Sequence, residues 1–198
     1  MKMLTNAYVR THKNEIIKEM REGKIFVFPS DRGYCIGCNL SSKVVVEKVR
    51  GIVKADEMSC IIPNLDWINR QIEISQKTKE FLGKLPGVFE IKVSLKPESD
   101  INFIGNEIGV RMPSHWIYEI IKDAGIAFLC LPARIDGDEN VTDFYSIDSR
   151  IKEQVDYIIN DGSIKCQELI VFDARSVKKQ ENESREIEFE RFGSLKFR

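Results

Sequence analysis

The sequence predicts an α/β fold, and three observations lead to this prediction. Residues 25–28 and 126–131 are wholly apolar runs, and a strand without a polar side needs cover on both faces. Segments with the three- and four-residue apolar spacing of helices alternate with these and other strand-like runs. Three predicted strands end in a proline, at Pro29, Pro113 and Pro132, and lead into polar loops. Loops that follow several strands can together form a ligand-binding crevice.

The first predicted elements are a helix and a strand. Residues 11–22 carry apolar side chains on one side and end at Gly23, which is typical of a helix. Residues 25–28 form the first apolar strand. Pro29 has no amide donor and is expected to end that strand, so that a polar loop follows it.

The same reasoning predicts the remaining helices and strands. A helix begins at Ser41 or Ser42, because apolar residues then recur at helical spacing. Ser114 is expected to cap a later helix. Residues 89–95 alternate between apolar and polar, which favours a half-buried strand with Glu90 on its polar side. Beyond these, helices are expected at 65–74, 76–85 and 115–123, and strands at 59–62, 108–112, 126–131, 155–159 and 169–172.

The C-terminal part of the sequence is more polar. An acidic loop is expected at 134–143, an exposed polar arm at 176–186 and a last strand over 187–192. No internal repeat or change in composition marks a boundary, so a single domain over 1–198 is expected.

The composition restricts the class of protein. Apolar residues make up 42% of the 198 residues, charged residues 31%, and the formal net charge is −1. These values are ordinary for a globular protein and give no overall attraction to nucleic acid or membrane. No apolar run approaches the ~18 residues of a membrane span, and none at the start resembles a secretion signal. A cytoplasmic location is therefore expected.

The cysteines support a reducing environment. There are five, an odd number with irregular spacing. Cys35 and Cys38 form a Cys-x-x-Cys sequence, which could indicate a redox or zinc site. Such a zinc site would need a second pair or suitably spaced histidines, and the only histidines are His12 and His115. Free buried cysteines are the favoured interpretation, and no metal site is predicted.

Several loops resemble the motifs of the YrdC-like family, whose catalytic members are threonylcarbamoyl-AMP synthases. Residues 29–37, Pro-Ser-Asp-Arg-Gly-Tyr-Cys-Ile-Gly, resemble the family's Pro-Thr-Asp-Thr-x-Tyr-Gly-Leu-Gly. Residues 85–87 match its Leu-Pro-Gly, and residues 109–115 match its Gly-Val-Arg-x-Pro-x-His. Arg-Phe-Gly at 191–193 resembles its closing Arg-x-Gly. The matches keep their order over most of the chain.

The resemblance implies an open, twisted mixed sheet with helices on its faces and a concave basin. In catalytic members the basin takes threonine, bicarbonate and ATP with magnesium, and releases pyrophosphate and threonylcarbamoyl-AMP for modification of tRNA adenosine 37. For this chain it implies ATP and magnesium if the site is catalytically competent, a threonine-like carboxylate as ligand, and RNA as a further partner of some members. It assigns no catalytic residue.

The resemblance also implies a set of substrate-binding residues. Arg111 matches the arginine that meets the threonine carboxylate, although an ion pair with Asp31 is an equally good interpretation. Lys54 keeps the lysine of a Lys-x-Arg motif, although a solvated lysine at a helix end is the simpler interpretation. The full set is Ser30, Arg32, Tyr34, Lys54, Arg111 and Arg134.

The sequence departs from the family where phosphates are bound. Asp56 stands in place of the arginine of Lys-x-Arg, and Pro-Ala-Arg at 132–134 stands in place of Ser-x-Asn. Glu90 replaces a motif threonine, and Leu-Ile at 169–170 replaces a Ser-Thr pair. These changes remove cations and donors that a triphosphate needs. One hypothesis is that Asp56 and Arg134 form a salt bridge that closes the pocket.

Two classes of function remain open from the sequence. One is a divergent threonylcarbamoyl-AMP synthase that uses ATP. The other is a non-catalytic module that binds a small carboxylate, a nucleotide or RNA. RNA binding requires a basic rim, for which Arg32, Lys54 and Arg134 are the candidates among the motif loops.

Overall fold

The strands of this α/β protein divide between two sheets. The structure is a computed structural model that describes residues 1–135 and 140–175. Its strands are β1 (Lys2–Thr5), β2 (Phe26–Ser30), β3 (Gly33–Gly37), β4 (Ser59–Ile61), β5 (Phe89–Ser94), β6 (Glu107–Arg111), β7 (Phe128–Leu129), β8 (Leu131–Pro132), β9 (Tyr157–Asn160) and β10 (Ile170–Asp173). Its α-helices are α1 (Asn6–Thr11), α2 (Lys13–Arg21), α3 (Lys43–Val53), α4 (Leu65–Gln71), α5 (Gln76–Leu82), α6 (Ile117–Ala124) and α7 (Ser149–Lys152).

Both sheets are mixed and five-stranded. The first has the order β1-β9-β2-β3-β8, in which β9 runs parallel to β1 and β2, and β3 runs antiparallel to β2 and β8. The second has the order β10-β5-β6-β4-β7 and alternates between parallel and antiparallel pairs. The predicted α/β class and open mixed topology are confirmed, and the strands form two such sheets where one was expected.

Helices cover both faces of β2, as its apolar sequence predicts. Phe26 and Phe28 belong to a buried cluster that includes apolar residues of α2 and α6. Val27, which points to the opposite face of the strand, packs in a second cluster with apolar residues of α3. Among the described helices, none is long and apolar enough to cross a membrane.

The prediction that Pro29 ends the first apolar strand is wrong. β2 continues through Pro29 to Ser30 and turns directly into β3, so the expected polar loop is the second arm of a hairpin. Pro29 lies opposite Tyr34, whose own amide donates to the Val141 carbonyl on the other side. Pairing of β2 with β9 reaches only from Phe26 to Val27, so the missing amide of Pro29 costs no ladder bond.

The predicted strand over 126–131 is also corrected. It is broken at Cys130 into β7, which joins the second sheet, and β8, which joins the first. The amide of Leu129 donates to Cys38, the residue that follows β3 of the first sheet, whereas the amide of Cys130 donates to Ser59 on β4 of the second sheet. Periodicity cannot detect such a crossing because both pieces are apolar and buried.

Smaller corrections concern element ends. The predicted helix over 11–22 corresponds to α2, which begins two residues later, and the preceding β1 and α1 were not predicted. Ser114 does not cap α6, because the helix begins after Trp116, and the Ser114 amide instead donates to Asp31. The predicted arm at 176–186, the strand over 187–192 and the motif at 191–193 lie outside the described residues, so the extent of the domain stays a prediction.

Candidate functional site

Residues of both sheets line a cavity of about 540 Å³. The first sheet contributes the β2–β3 turn and the segment after β7, and the second contributes β4 and β5. The end of α3 and the loop that follows it complete the lining. Its charged residues are Arg32, Lys54 and Arg134, which are cationic, and Asp56, Glu57 and Glu90, which are acidic.

The three cations reach the cavity from separate loops. Arg32 occupies the two-residue turn between β2 and β3. Lys54 follows the last residue of α3 in a left-handed conformation, with φ of 50°, which turns the chain toward β4. Arg134 follows β8 by two residues. Four of the predicted residues, counting Asp56, therefore line one cavity.

Ser30 and Tyr34 are buried in the protein core and do not line this cavity. Ser30 is fully buried, and its hydroxyl donates to the Gly33 carbonyl and accepts from the Arg32 amide, so it shapes the turn that carries Arg32. The Tyr34 hydroxyl donates to the Gly162 carbonyl at 2.8 Å and accepts from the Asp161 amide at 3.0 Å. Burial raises the pKa of Tyr34 to about 12. A direct role of either residue in ligand binding stays a prediction.

Arg111 forms a buried ion pair with Asp31. One guanidinium nitrogen lies 2.6 Å from the carboxylate, and both side chains are almost completely buried. The second oxygen of Asp31 accepts from the Ser114 amide at 3.0 Å. The ion pair considered at the sequence level is therefore present, and it links the β2–β3 turn to the end of β6. Contact of Arg111 with a ligand carboxylate stays a prediction.

Sequence reasoning missed the side-chain position of Glu90. The alternation in β5 predicts that it lies on the polar side, but Glu90 is only 7% exposed and lines the cavity. Its Oε2 accepts a hydrogen bond of 2.8 Å from the Ser59 hydroxyl and lies 3.5 Å from Nη1 of Arg32. These partners come from other strands and turns, so periodicity along β5 could not indicate them. The one feature of the sequence that pointed to position 90 is that Glu90 stands where the family motif has a threonine.

The salt bridge proposed between Asp56 and Arg134 stays a prediction. Both residues line the same cavity, from the loop after α3 and from the segment after β8. This placement meets the first requirement of the hypothesis, that the two charges face a common space.

The prediction that Cys35 and Cys38 are free and buried is confirmed. Their environments differ: a hydrogen bond from the Cys130 thiol lowers the pKa of Cys35, whereas burial raises that of Cys38 to about 12. In the described ranges, no group of three or more histidine, cysteine, aspartate or glutamate side chains could hold a metal ion.

His115 gives the fold a predicted dependence on pH. Burial lowers the pKa of His115 below 6.5, although Asp161, 3.8 Å away, opposes this shift. The unfolded chain then binds more protons than the folded protein at mildly acidic pH. The contribution of neutral His115 to the free energy of unfolding is therefore complete above about pH 6.5, and it is lost as the pH falls through the lower pKa of the folded state. Urea unfolding at about pH 7.5 and 5 should show a smaller loss of stability for His115→Gln than for the unaltered protein. His12→Gln, at an exposed side chain, is the control and should keep the full pH dependence. Equal pH dependence in the His115 variant would contradict the prediction.

Comparisons with known sequences identify the family. A family model named Sua5_yciO_yrdC, with the description "Telomere recombination", matches residues 18–179. A protein of Methanocaldococcus jannaschii, provisionally named a threonylcarbamoyl-AMP synthase, is 29% identical over 153 residues, which cover 75% of this chain and 72% of that protein.

Solved structures share the fold. The Escherichia coli YciO structure has a TM-score of 0.75 and 21% identity, covering 88% of this chain and 91% of that one. The Sua5 protein of P. abyssi in complex with L-threonine has a TM-score of 0.73 and 19% identity, covering 86% of this chain. The matched region spans only 53% of that Sua5 chain. Since the family model covers most of the sequence, the chain belongs to the Sua5/YciO/YrdC family.

Proposed function

We propose that the cavity binds an amino acid together with an adenine nucleotide, and that the chain catalyses a threonylcarbamoyl-AMP synthase type of reaction. In this reaction threonine, bicarbonate and ATP give threonylcarbamoyl-AMP, pyrophosphate and water. The observation that carries the proposal is the convergence of Arg32, Lys54 and Arg134 on one cavity in a member of this family. Its volume, about 540 Å³, lies within the usual range for small-molecule sites.

The cationic residues have distinct roles in the proposal. Arg32 and Arg134 carry planar guanidinium groups, which suit the paired oxygens of a carboxylate or phosphate. Lys54 would act as a point charge toward a phosphate. Because the three come from different loops, a bound ligand would be held from several sides and its reacting groups kept in a fixed orientation.

Magnesium would enter with the nucleotide. Its usual protein sites combine one or two carboxylates with substrate phosphates and several waters. Asp56, Glu57 and Glu90 supply carboxylates to the cavity wall. The described side chains form no dedicated cluster for a metal, so this set fits only an ion that ATP brings with it.

The proposal is tested by pyrophosphate release from ATP in the presence of threonine, bicarbonate and magnesium. Release should require threonine. Arg32→Ala should lower the rate about tenfold or more, because it removes a charge-assisted contact in a cavity partly shielded from water. Arg70→Ala, an exposed change on α4 outside the cavity lining, is the control and should leave the rate unchanged. Absence of threonine-dependent release would contradict the proposal.

A second candidate is a non-catalytic module that binds a nucleotide or small carboxylate. The contact between Arg32 and Glu90 favours it, because it neutralises one cation that a triphosphate would need. This candidate predicts an increase in Tm with threonine or a nucleotide but no turnover. RNA binding, for which the same three cations are candidates, predicts an affinity that falls steeply with salt concentration.

A further inference from the structure

Glu90 is a buried carboxylate within the candidate site. Its side chain is 9% exposed, and that of Arg32, 3.5 Å away, is 15% exposed. The Ser59 hydroxyl donates to the same oxygen of Glu90 that faces Arg32. Two neighbouring groups thus hold one carboxylate oxygen in a fixed position at the cavity wall.

The neighbouring strand leaves space for this side chain. Gly109 on β6 lies beside β5, in register with Lys92. A Cβ atom at residue 109 would come within 2.7 Å of the Glu90 carboxyl group. A larger residue at position 109 would therefore displace the Glu90 carboxyl group from the position described.

Glu90 changes the charge that a ligand meets. The cavity wall carries three cationic and three acidic side chains, so its formal charge is balanced. In a site that is partly shielded from water, a carboxylate beside Arg32 offsets much of its attraction for anions and repels a ligand with several negative charges. Within the described part of the chain, Nε of Arg32 is buried without a hydrogen-bond partner, so Glu90 does not satisfy every donor of this guanidinium.

We propose that Glu90 determines specificity by restricting the group that reaches Arg32 to a single carboxylate or a single phosphate. A triphosphate is disfavoured because its additional charges meet Glu90. The inference rests on the proposed function only in assuming that the ligand enters this cavity. It assigns the cavity a preference for an adenylate over ATP.

The experiment compares the binding of AMP, ATP and inorganic pyrophosphate, without magnesium, by isothermal titration calorimetry. The unaltered protein should bind AMP at least as tightly as ATP. Glu90→Gln keeps the side-chain volume and the acceptor for Ser59 but removes the charge. It should raise the affinity for ATP and pyrophosphate about tenfold and change that for AMP much less.

Glu107→Gln is the matched control. Glu107 also pairs with an arginine, Arg175, and also lies on the second sheet, but it does not line this cavity. The same loss of charge at this position should change the ratio of ATP to AMP affinity less than twofold. Glu90→Thr provides a second neutral variant if Glu90→Gln does not fold.

Three results would overturn the inference. The first is that Glu90→Gln leaves the ratio of ATP to AMP affinity unchanged, or that Glu107→Gln changes this ratio by as much as Glu90→Gln does. The second is an unaltered protein that binds ATP more than about tenfold tighter than AMP. The third is no binding of any probe to any variant. Failure of pyrophosphate release alone would contradict the proposed function and leave this inference standing, since binding is measured without turnover.

Discussion

Replacing Asp31 with alanine is expected to cost about 3–5 kcal/mol of folding free energy, because it leaves a buried arginine without its carboxylate. Arg111 is fully buried and its guanidinium cannot lose its proton to avoid the cost. Within the described residues, two of its three guanidinium nitrogens lack a hydrogen-bond partner, and the third is bonded to Asp31. The change also leaves the Ser114 amide without the acceptor it has in Asp31. Chemical denaturation of the two proteins measures the difference.

Glu57→Ala is the control for this prediction. Glu57 pairs with Lys92 at 2.7 Å, but its side chain is 78% exposed. Exposed pairs contribute at most about 1 kcal/mol because water screens both charges. If Asp31→Ala cost no more than Glu57→Ala, the ion pair between β6 and the β2–β3 turn would not stabilise the fold as described.

Gly37→Ala is expected to destabilise the protein by about 3 kcal/mol or more. A Cβ atom on residue 37 would lie 1.7 Å from the Leu129 carbonyl oxygen, well inside contact distance. The obstacle is backbone, which cannot rotate away as a side chain can. Relief would require β3 and β7 to separate, and this would break the 2.8 Å hydrogen bond from the Leu129 amide to the Cys38 carbonyl.

Gly51→Ala is the matched control for the glycine prediction. Gly51 lies within α3, and a Cβ atom there would have no neighbour within 4 Å. Alanine should raise stability by about 0.5–1 kcal/mol, because it restricts the unfolded chain and favours the helix. Urea unfolding of both variants gives the comparison. A Gly37→Ala protein within about 1 kcal/mol of the unaltered one would show that the two strands are not held as closely as described.

The regular part of the fold was predictable from sequence because it depends on local spacing. The apolar positions of α3 and α6 recur at helical steps, and these residues are buried in the structure. The β2–β3 hairpin was not predicted, because Pro29 removes a donor only on the side where β9 has already ended. The division of 126–131 between two sheets depends on partners distant in sequence, which no local pattern contains.

The candidate site, like the fold, was predictable from the sequence only in part. Arg32, Lys54, Asp56 and Arg134 were predicted by their positions in motif-like loops, and they line one cavity. Glu90 was not predicted, because a charged residue on an alternating strand is ordinarily exposed. Its burial depends on Arg32 and Ser59, which are close to it only after folding.

The single residue between β7 and β8 has a mechanical consequence. A chain segment that passes from one sheet to the other with only Cys130 between them has no slack. The two sheets are therefore tied together at Cys130, which also lines the cavity. We expect the distance between the sheets at this wall of the cavity to change little when a ligand binds.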